Sequence, residues 1–413
     1  MVRTAKKKKN IVEIIHKTFP ALNIALAAYL LLLVAKIAGI DVYLDTVKER
    51  AVAVIEKQDA DHIVSECKGQ ALTGCYRDKL VNLINKHNFS YALKTLAFIQ
   101  QEDPATRPCH VLAHYMARAA VAKHPQSWLE LLDVVKISDC GGGFLHGIFE
   151  GYMGFDPSFE LTINSANTIC GRYKSDPEKI MSCYHWFGHV FMLDERGNLE
   201  SSLPRCVGAI PQQYSFNCYD GVFMEFIYQP MLLDHGISTS LNISQEYITN
   251  ILIPTCLKYA GTTEGVACWT EVGEPHMNVS DFDPAYARDG CKRAPSDKER
   301  LVCYEKAETI IALQPKFSSP ELLVNVCERF REGESEDGYR DCLRHMIGGF
   351  AHYPPDYATR AITLCTYTRA AYRMVCFQSV GNSYTSVGYS LQDRKRICKD
   401  VEDEFKSACV GPQ

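Results

Sequence analysis

The sequence predicts an all-α protein, an α-solenoid of helical hairpins about 35 residues long, with one disulfide per repeat and an N-terminal transmembrane helix. Three observations predict it. A cysteine-aromatic step recurs along the chain, the cysteines fall into consecutive close pairs, and one long apolar stretch lies near the start.

The recurring step is clearest in residues 183–195, CYHWFGHVFMLDE, where Cys183 is followed by Tyr184, by Gly188 five positions on and by His189 six positions on. Cys75-Tyr76, Cys218-Tyr219, Cys268-Trp269, Cys303-Tyr304 and Cys376-Phe377 repeat the step, and Gly273 and Gly381 repeat the small residue. Self-similarity of this kind marks a repeat architecture, in which each unit buries its apolar face against its neighbours.

With 413 residues, 46% of them hydrophobic and 23% charged, the chain can bury a large core. Its net charge of -5 carries no basic footprint, which argues against nucleic acid as a partner. The one basic run, Lys6 to Lys9, lies in a tail of residues 1–18 that is expected to be cytoplasmic.

Residues 19–40, FPALNIALAAYLLLLVAKIAGI, are interrupted only by Asn23 and Lys36 and are long enough to cross a hydrocarbon core of ~30 Å. An uncleaved signal anchor is expected, leaving the rest of the chain extracytoplasmic. The competing reading, a cleaved signal peptide, lacks a small-x-small site, because cleavage after Ala38 would put Lys36 at the third position back. Residues 41–66 have helical periodicity without Gly or Pro and read as a stalk or first repeat helix. Residues 67–413 form the predicted disulfide-rich repeat domain.

All eighteen cysteines follow Asp41, as suits an oxidising compartment. In order they pair as Cys170 with Cys183, Cys206 with Cys218, Cys256 with Cys268, Cys291 with Cys303, Cys327 with Cys342, Cys365 with Cys376, and Cys398 with Cys409, each with ten to fourteen residues between. Cys67 with Cys75 is tighter and Cys109 with Cys140 wider. No CxxC or CxxCH occurs, so neither a cysteine zinc site nor haem attachment is indicated.

Two helices are expected in residues 76–101, broken near Asn88 and ended by Asp103-Pro104. Residues 247–260 read as a helix kinked at Pro254, after which GTTEG should turn the chain and Val266 begin the next helix. First cysteines from Cys170 onward step by 33 to 38 residues, apart from one step of 50 that holds an insertion at residues 229–244, expected as a surface loop. A disulfide across each hairpin closes a loop of ~13 residues and contributes ~3 kcal/mol.

In repeat length, in the CY-x3-G frame and in its paired cysteines, the chain from roughly residue 60 onward resembles the tetratricopeptide and Sel1-like solenoids. It is most similar to cysteine-rich secreted Sel1-like proteins, although its cysteine spacing is longer than theirs. The resemblance implies a right-handed solenoid whose concave face binds a protein, peptide or cell-envelope ligand, and it transfers no activity. Candidate glycan acceptors are Asn88, Asn242 and Asn278.

Six of the thirteen histidines fall between residues 110 and 189. His110 with His114, His146 with Glu150, and His185 with His189 are each four apart, which places each pair on one helix face. Such pairs on successive repeats can converge on one metal, with zinc, or iron, as the expected ion. The fourth such helix, CYDGVFMEFIY, replaces histidine with Met224 and carries Asp220 and Glu225. The bland reading is that these histidines are core residues, as His124 before Pro125 is a turn residue. His276, His345 and His352 belong to later repeats and are expected away from the cluster.

Residues Gly348–His352 echo Gly142–His146. The chain has no GxSxG, Walker loop or HExxH, and committing its cysteines to disulfides leaves no thiol nucleophile. Two functions are carried forward. One is an interaction module with a histidine-rich metal site; the other is a metal-dependent enzyme, a hydrolase, with Glu150 or Glu225 as general base.

Overall fold

The computed structural model describes residues 40–70, 72–106, 109–135, 139–155, 163–228, 243–317, 319–332, 336–351 and 356–412. The basic tail and, but for Ile40, the predicted span 19–40 lie outside the described residues, as do Asn242, His352 and most of the 229–244 insertion. No helix among the described residues is long and apolar enough to cross a membrane. Those residues form helices and no strands, as the sequence predicts.

The first helices are α1 (Ile40–Cys67), α2 (Arg77–Lys86) and α3 (Phe89–Glu102). The described residues fall into two compact units, those within 40–68 and 93–104, and those within 69–92 and 105–412. Within the first, Lys57 on α1 donates to Asp61 at 3.3 Å and to Glu102 at 3.2 Å. Asn88 does break the 76–101 helix: its side chain accepts from the Tyr91 N–H at 2.9 Å and caps the start of α3.

The second unit continues through α4 (His110–Lys123), α5 (Trp128–Val134), α6 (Gly143–Phe155), α7 (Ile163–Cys170), α8 (Pro177–Asp194), α9 (Leu199–Ala209) and α10 (Ser215–Tyr228). Next come α11 (Ile253–Lys258), α12 (Thr263–Val279), α13 (Pro284–Cys291), α14 (Asp297–Leu313), α15 (Pro320–Phe330) and α16 (Glu336–Ala351). The last four are α17 (Asp356–Tyr367), α18 (Ala370–Ser386), α19 (Leu391–Ile397) and α20 (Asp403–Val410).

The even-numbered helices from α2 to α20 pack in series, each on the next, and every odd-numbered helix from α5 onward packs on the even-numbered helix that follows it. This alternation explains the cysteine-aromatic step. The aromatic after each repeat cysteine, from Tyr76 through Tyr184, Tyr219, Trp269 and Tyr304 to Phe377, is buried between layers.

Disulfides join the two arms of each hairpin from Cys170–Cys183 to Cys398–Cys409, with Cα atoms 5.3 to 5.9 Å apart. Cys109–Cys140 is different in kind: it ties the residues just before α4 to the turn just before α6. Cys67 and Cys75 are also disulfide-bonded, and no cysteine is free.

Two local expectations differ in detail. The helix after GTTEG begins at Thr263, three residues before Val266, because the Thr262 hydroxyl accepts from the Gly265 N–H and caps it. Pro254 is accommodated by a π-helical turn over Ile248–Leu252 just before it. The wider turn relieves the clash between the proline ring and the preceding carbonyls.

Candidate metal centre

The centre begins with unusually close helix packing. Gly143, Gly147 and Gly151 repeat every fourth residue along the face of α6 that meets α4. A Cβ on Gly147 would lie 2.6 Å from both the Cα and the carbonyl oxygen of His114, and one on Gly151 would lie 3.1 Å from the Arg118 Cα. Gly188 on α8 and Gly221 on α10 meet in the same way, with a Gly188 Cβ placed 2.7 Å from the Val222 nitrogen. Each helical glycine costs about 1 kcal/mol in propensity. In return, backbones approach closely enough for short side chains to meet across the crossing.

They meet in a fixed pattern. On α4, the His110 Nδ1 lies 3.2 Å from the Cys140 carbonyl oxygen, and the His114 Nδ1 lies 2.9 and 3.0 Å from the two Glu150 oxygens. Carbonyl and carboxylate oxygens only accept, so both histidines carry their proton on Nδ1. In a neutral ring Nε2 then presents a lone pair, and the two Nε2 atoms are 3.1 Å apart.

The arrangement recurs one step on. His185 Nδ1 donates to Asp220 at 3.0 Å, His189 Nδ1 donates to Glu225 at 2.7 Å, and their Nε2 atoms are again 3.1 Å apart. Two facing lone pairs repel unless a proton or a metal ion lies between them. Nitrogens bound to one zinc at 2.0–2.1 Å are about 3.3 Å apart in tetrahedral geometry, close to the spacing of both pairs. A metal-bound histidine ordinarily gives its other N–H to a carboxylate or carbonyl, which is what these four do.

His146 sits between the pairs. Its ring centroid is 5.1 Å from His110, 5.4 Å from His114, 6.2 Å from His185 and 4.5 Å from His189. Among the described residues, two groups bring ligand atoms within 4.8 Å of one another: His110, His114 and His146, and His146, His185 and His189. Either could hold a metal ion. Burial first, and then the surrounding imidazoles, hold His146 well below the ordinary histidine range; burial and then His185 do so for His189. Both are neutral near pH 7, the form in which imidazole binds metal.

The structure therefore brings together all five histidines singled out in the sequence. Glu150 and Glu225 stand behind His114 and His189, bonded to Nδ1, rather than beside the Nε2 pairs. Asp220 holds His185, and this role was not read from the sequence. Its signal is the register: Asp220 follows Cys218 by two residues, as His185 follows Cys183. Likewise His114 to Glu150 and His189 to Glu225 are both separations of 36, one repeat length.

Beyond α10 the helix contacts carry ion pairs at other register positions. Lys306 on α14 meets Glu271 on α12 at 3.0 Å, and Glu308 on α14 accepts from Arg331 at 2.6 Å and bonds His345 at 2.6 Å. His276 is buried beside Tyr286, and His124 ends α4; neither belongs to the cluster. Asn278 places its side-chain nitrogen in the interior, which disfavours glycan attachment there. Comparisons with protein-family models, with curated proteins and with solved structures find no match to this chain.

Proposed function

We propose that the chain is a membrane-anchored, extracytoplasmic helical-repeat protein, an α-solenoid that acts as an interaction module and holds metal in the centre built by α4, α6 and α8. The observation that carries the metal reading is the twice-repeated Nε2 pair, each member with its Nδ1 proton committed to an acceptor. Zinc is the ion we assign, since neutral imidazoles supply all the donors and zinc accepts three or four of them without redox chemistry. Iron is the alternative for the same donors.

The anchor rests on the apolar stretch 19–40, and the extracytoplasmic placement on cysteines committed to disulfides. A solenoid of stacked hairpins offers a concave surface to a protein, peptide or cell-envelope ligand. Metal analysis of full-length protein, purified without an affinity tag and equilibrated with Zn(II), tests the metal reading. Retained zinc after gel filtration is expected; a metal-free chain would overturn it.

A second reading, a metal-dependent hydrolase, is favoured by one observation. Three histidines per group leave a fourth tetrahedral position for water, as in catalytic zinc sites. Glu150 and Glu225 would then act on that water through His114 and His189 rather than as direct bases. Azide added to the Co(II)-loaded protein distinguishes the two, because its visible spectrum shifts only where a coordination position is open.

A further inference from the structure

The two histidine groups overlap in one residue and do not merge into one. His110 and His114 share with His146 a neighbourhood of ligand atoms 4.8 Å across, and His185 and His189 share another with the same His146. Each outer pair already has the spacing of two ligands on a single ion. Among the described residues, the third nitrogen within reach of each pair is that of the imidazole between them.

We infer that the centre is built for two divalent cations, one held by His110, His114 and His146 and the other by His146, His185 and His189, with His146 bridging them through its two ring nitrogens. This rests on reading the cluster as a metal centre and adds how many ions it takes. For one imidazole to serve both, two N–metal bonds form and the remaining N–H bond breaks, its proton leaving to solvent.

The electrostatics agree. Glu150, Asp220 and Glu225 each lie against an outer histidine, and with the bridging imidazolate they offset most of the charge of two divalent ions, Arg118 lying 3.9 Å from Glu150. One Asp220 oxygen is buried and has no hydrogen-bond partner among the described residues, an expensive state that a nearby cation offsets. Carboxylates placed behind the ligands, instead of on the ions, tune imidazole basicity and leave the nitrogens to face inward.

The architecture supplies the symmetry. The even-numbered helices pack in series, so α4 and α8 each bring a histidine pair to α6, and α6 contributes the single imidazole that both reach. Trp186 packs edge-on at 5.6 Å from His146, and the Gly147 contact with α4 follows immediately in sequence. Both hold the central ring in place.

The test is a count on the full chain. Stripped with chelator, equilibrated with Zn(II) and filtered, the protein should carry two zinc ions; His110→Ala and His189→Ala should each carry one. His146→Ala should weaken both sites by more than about 10-fold, the effect expected of losing a ligand or its support. No zinc on the parent chain would sink the metal reading itself. One zinc on the parent, or none on His110→Ala, would overturn the two-ion inference and leave the metal reading standing. Should His146→Ala fail to fold, the parent loaded with Cu(II) answers the same question. Two ions across an imidazolate give an exchange-coupled EPR spectrum, and two isolated-ion signals would refute the bridge.

Discussion

Replacing Gly147 with alanine probes the contact on which the centre is built. Two effects oppose each other. Alanine in mid-helix gains about 1 kcal/mol over glycine. Against this, the new Cβ would sit 2.6 Å from the His114 Cα and oxygen and 2.8 Å from the Ala117 Cβ. Two of these atoms are backbone, so no side-chain rotation relieves the contact. Overpacking of this kind costs about 1–3 kcal/mol, and restoring an ordinary contact of 3.4 Å or more moves α4 and α6 apart by roughly 1 Å. That stretches the 3.0 Å bond from His114 to Glu150 beyond hydrogen-bonding range and forfeits about 1.5–3 kcal/mol for a charge-assisted bond. The net expectation is a local loss of about 2–4 kcal/mol, with zinc bound at least about 10-fold more weakly.

Hydrogen exchange in α4 and α6 reads this better than a global melt, because serially packed helices unfold in parts. Gly348 supplies the control: it lies within α16, and a Cβ there meets nothing within 4 Å. Gly348→Ala should therefore stabilise its helix by up to about 1 kcal/mol. If Gly147→Ala behaved like Gly348→Ala, with unchanged zinc retention, the close-packing argument would be wrong.

Two further outcomes follow from groups outside the centre. Arg331→Met removes the guanidinium that meets the fully buried Glu308 at 2.6 and 3.2 Å; about 3 kcal/mol should be lost from exchange protection in α14 and α15, and a loss below about 1 kcal/mol would show that His345 alone satisfies the carboxylate. His276, whose two nitrogens are buried without hydrogen-bond partners, is pushed down to about 4 by burial and then by Arg293. The unfolded chain, with histidine near 6.5, therefore binds the extra proton between those values. Stability from this residue is complete above about pH 6.5 and falls by about 3 kcal/mol as pH drops towards 4. His276→Gln should flatten that part of the denaturation-against-pH curve, and an unchanged slope would assign it elsewhere.

Much of this molecule is readable from residue spacing. Paired cysteines report hairpin arms directly, because bonded Cα atoms lie within about 7 Å and the arms are adjacent in sequence. The histidine pairs were legible for a similar reason, since residues four apart share a helix face. The division of labour among the carboxylates was not. Whether Glu150 stands beside His146 on its own helix or behind His114 on the neighbouring one depends on the axial offset between α4 and α6. The Gly143, Gly147 and Gly151 contacts set that offset, and no single-helix periodicity encodes it. The start of α12 was misplaced by three residues because GTTEG reads as a turn by composition, whereas its second residue is a helix cap.

The disulfides also bear on how the chain reaches this state. Seven of the described bonds join cysteines only 11 to 15 positions apart. At synthesis rates of about 5–20 residues per second, the second cysteine of such a pair follows the first within about 1–3 s. A growing chain that meets an oxidant thus has the right partner at hand before the next repeat arrives, and scrambled pairings must outrun their neighbours. Cys109–Cys140, whose ends are 31 positions apart, is the slowest of these to become available. It closes the turn that presents the Cys140 carbonyl to His110, so oxidation order decides when the first half of the histidine cluster can take shape.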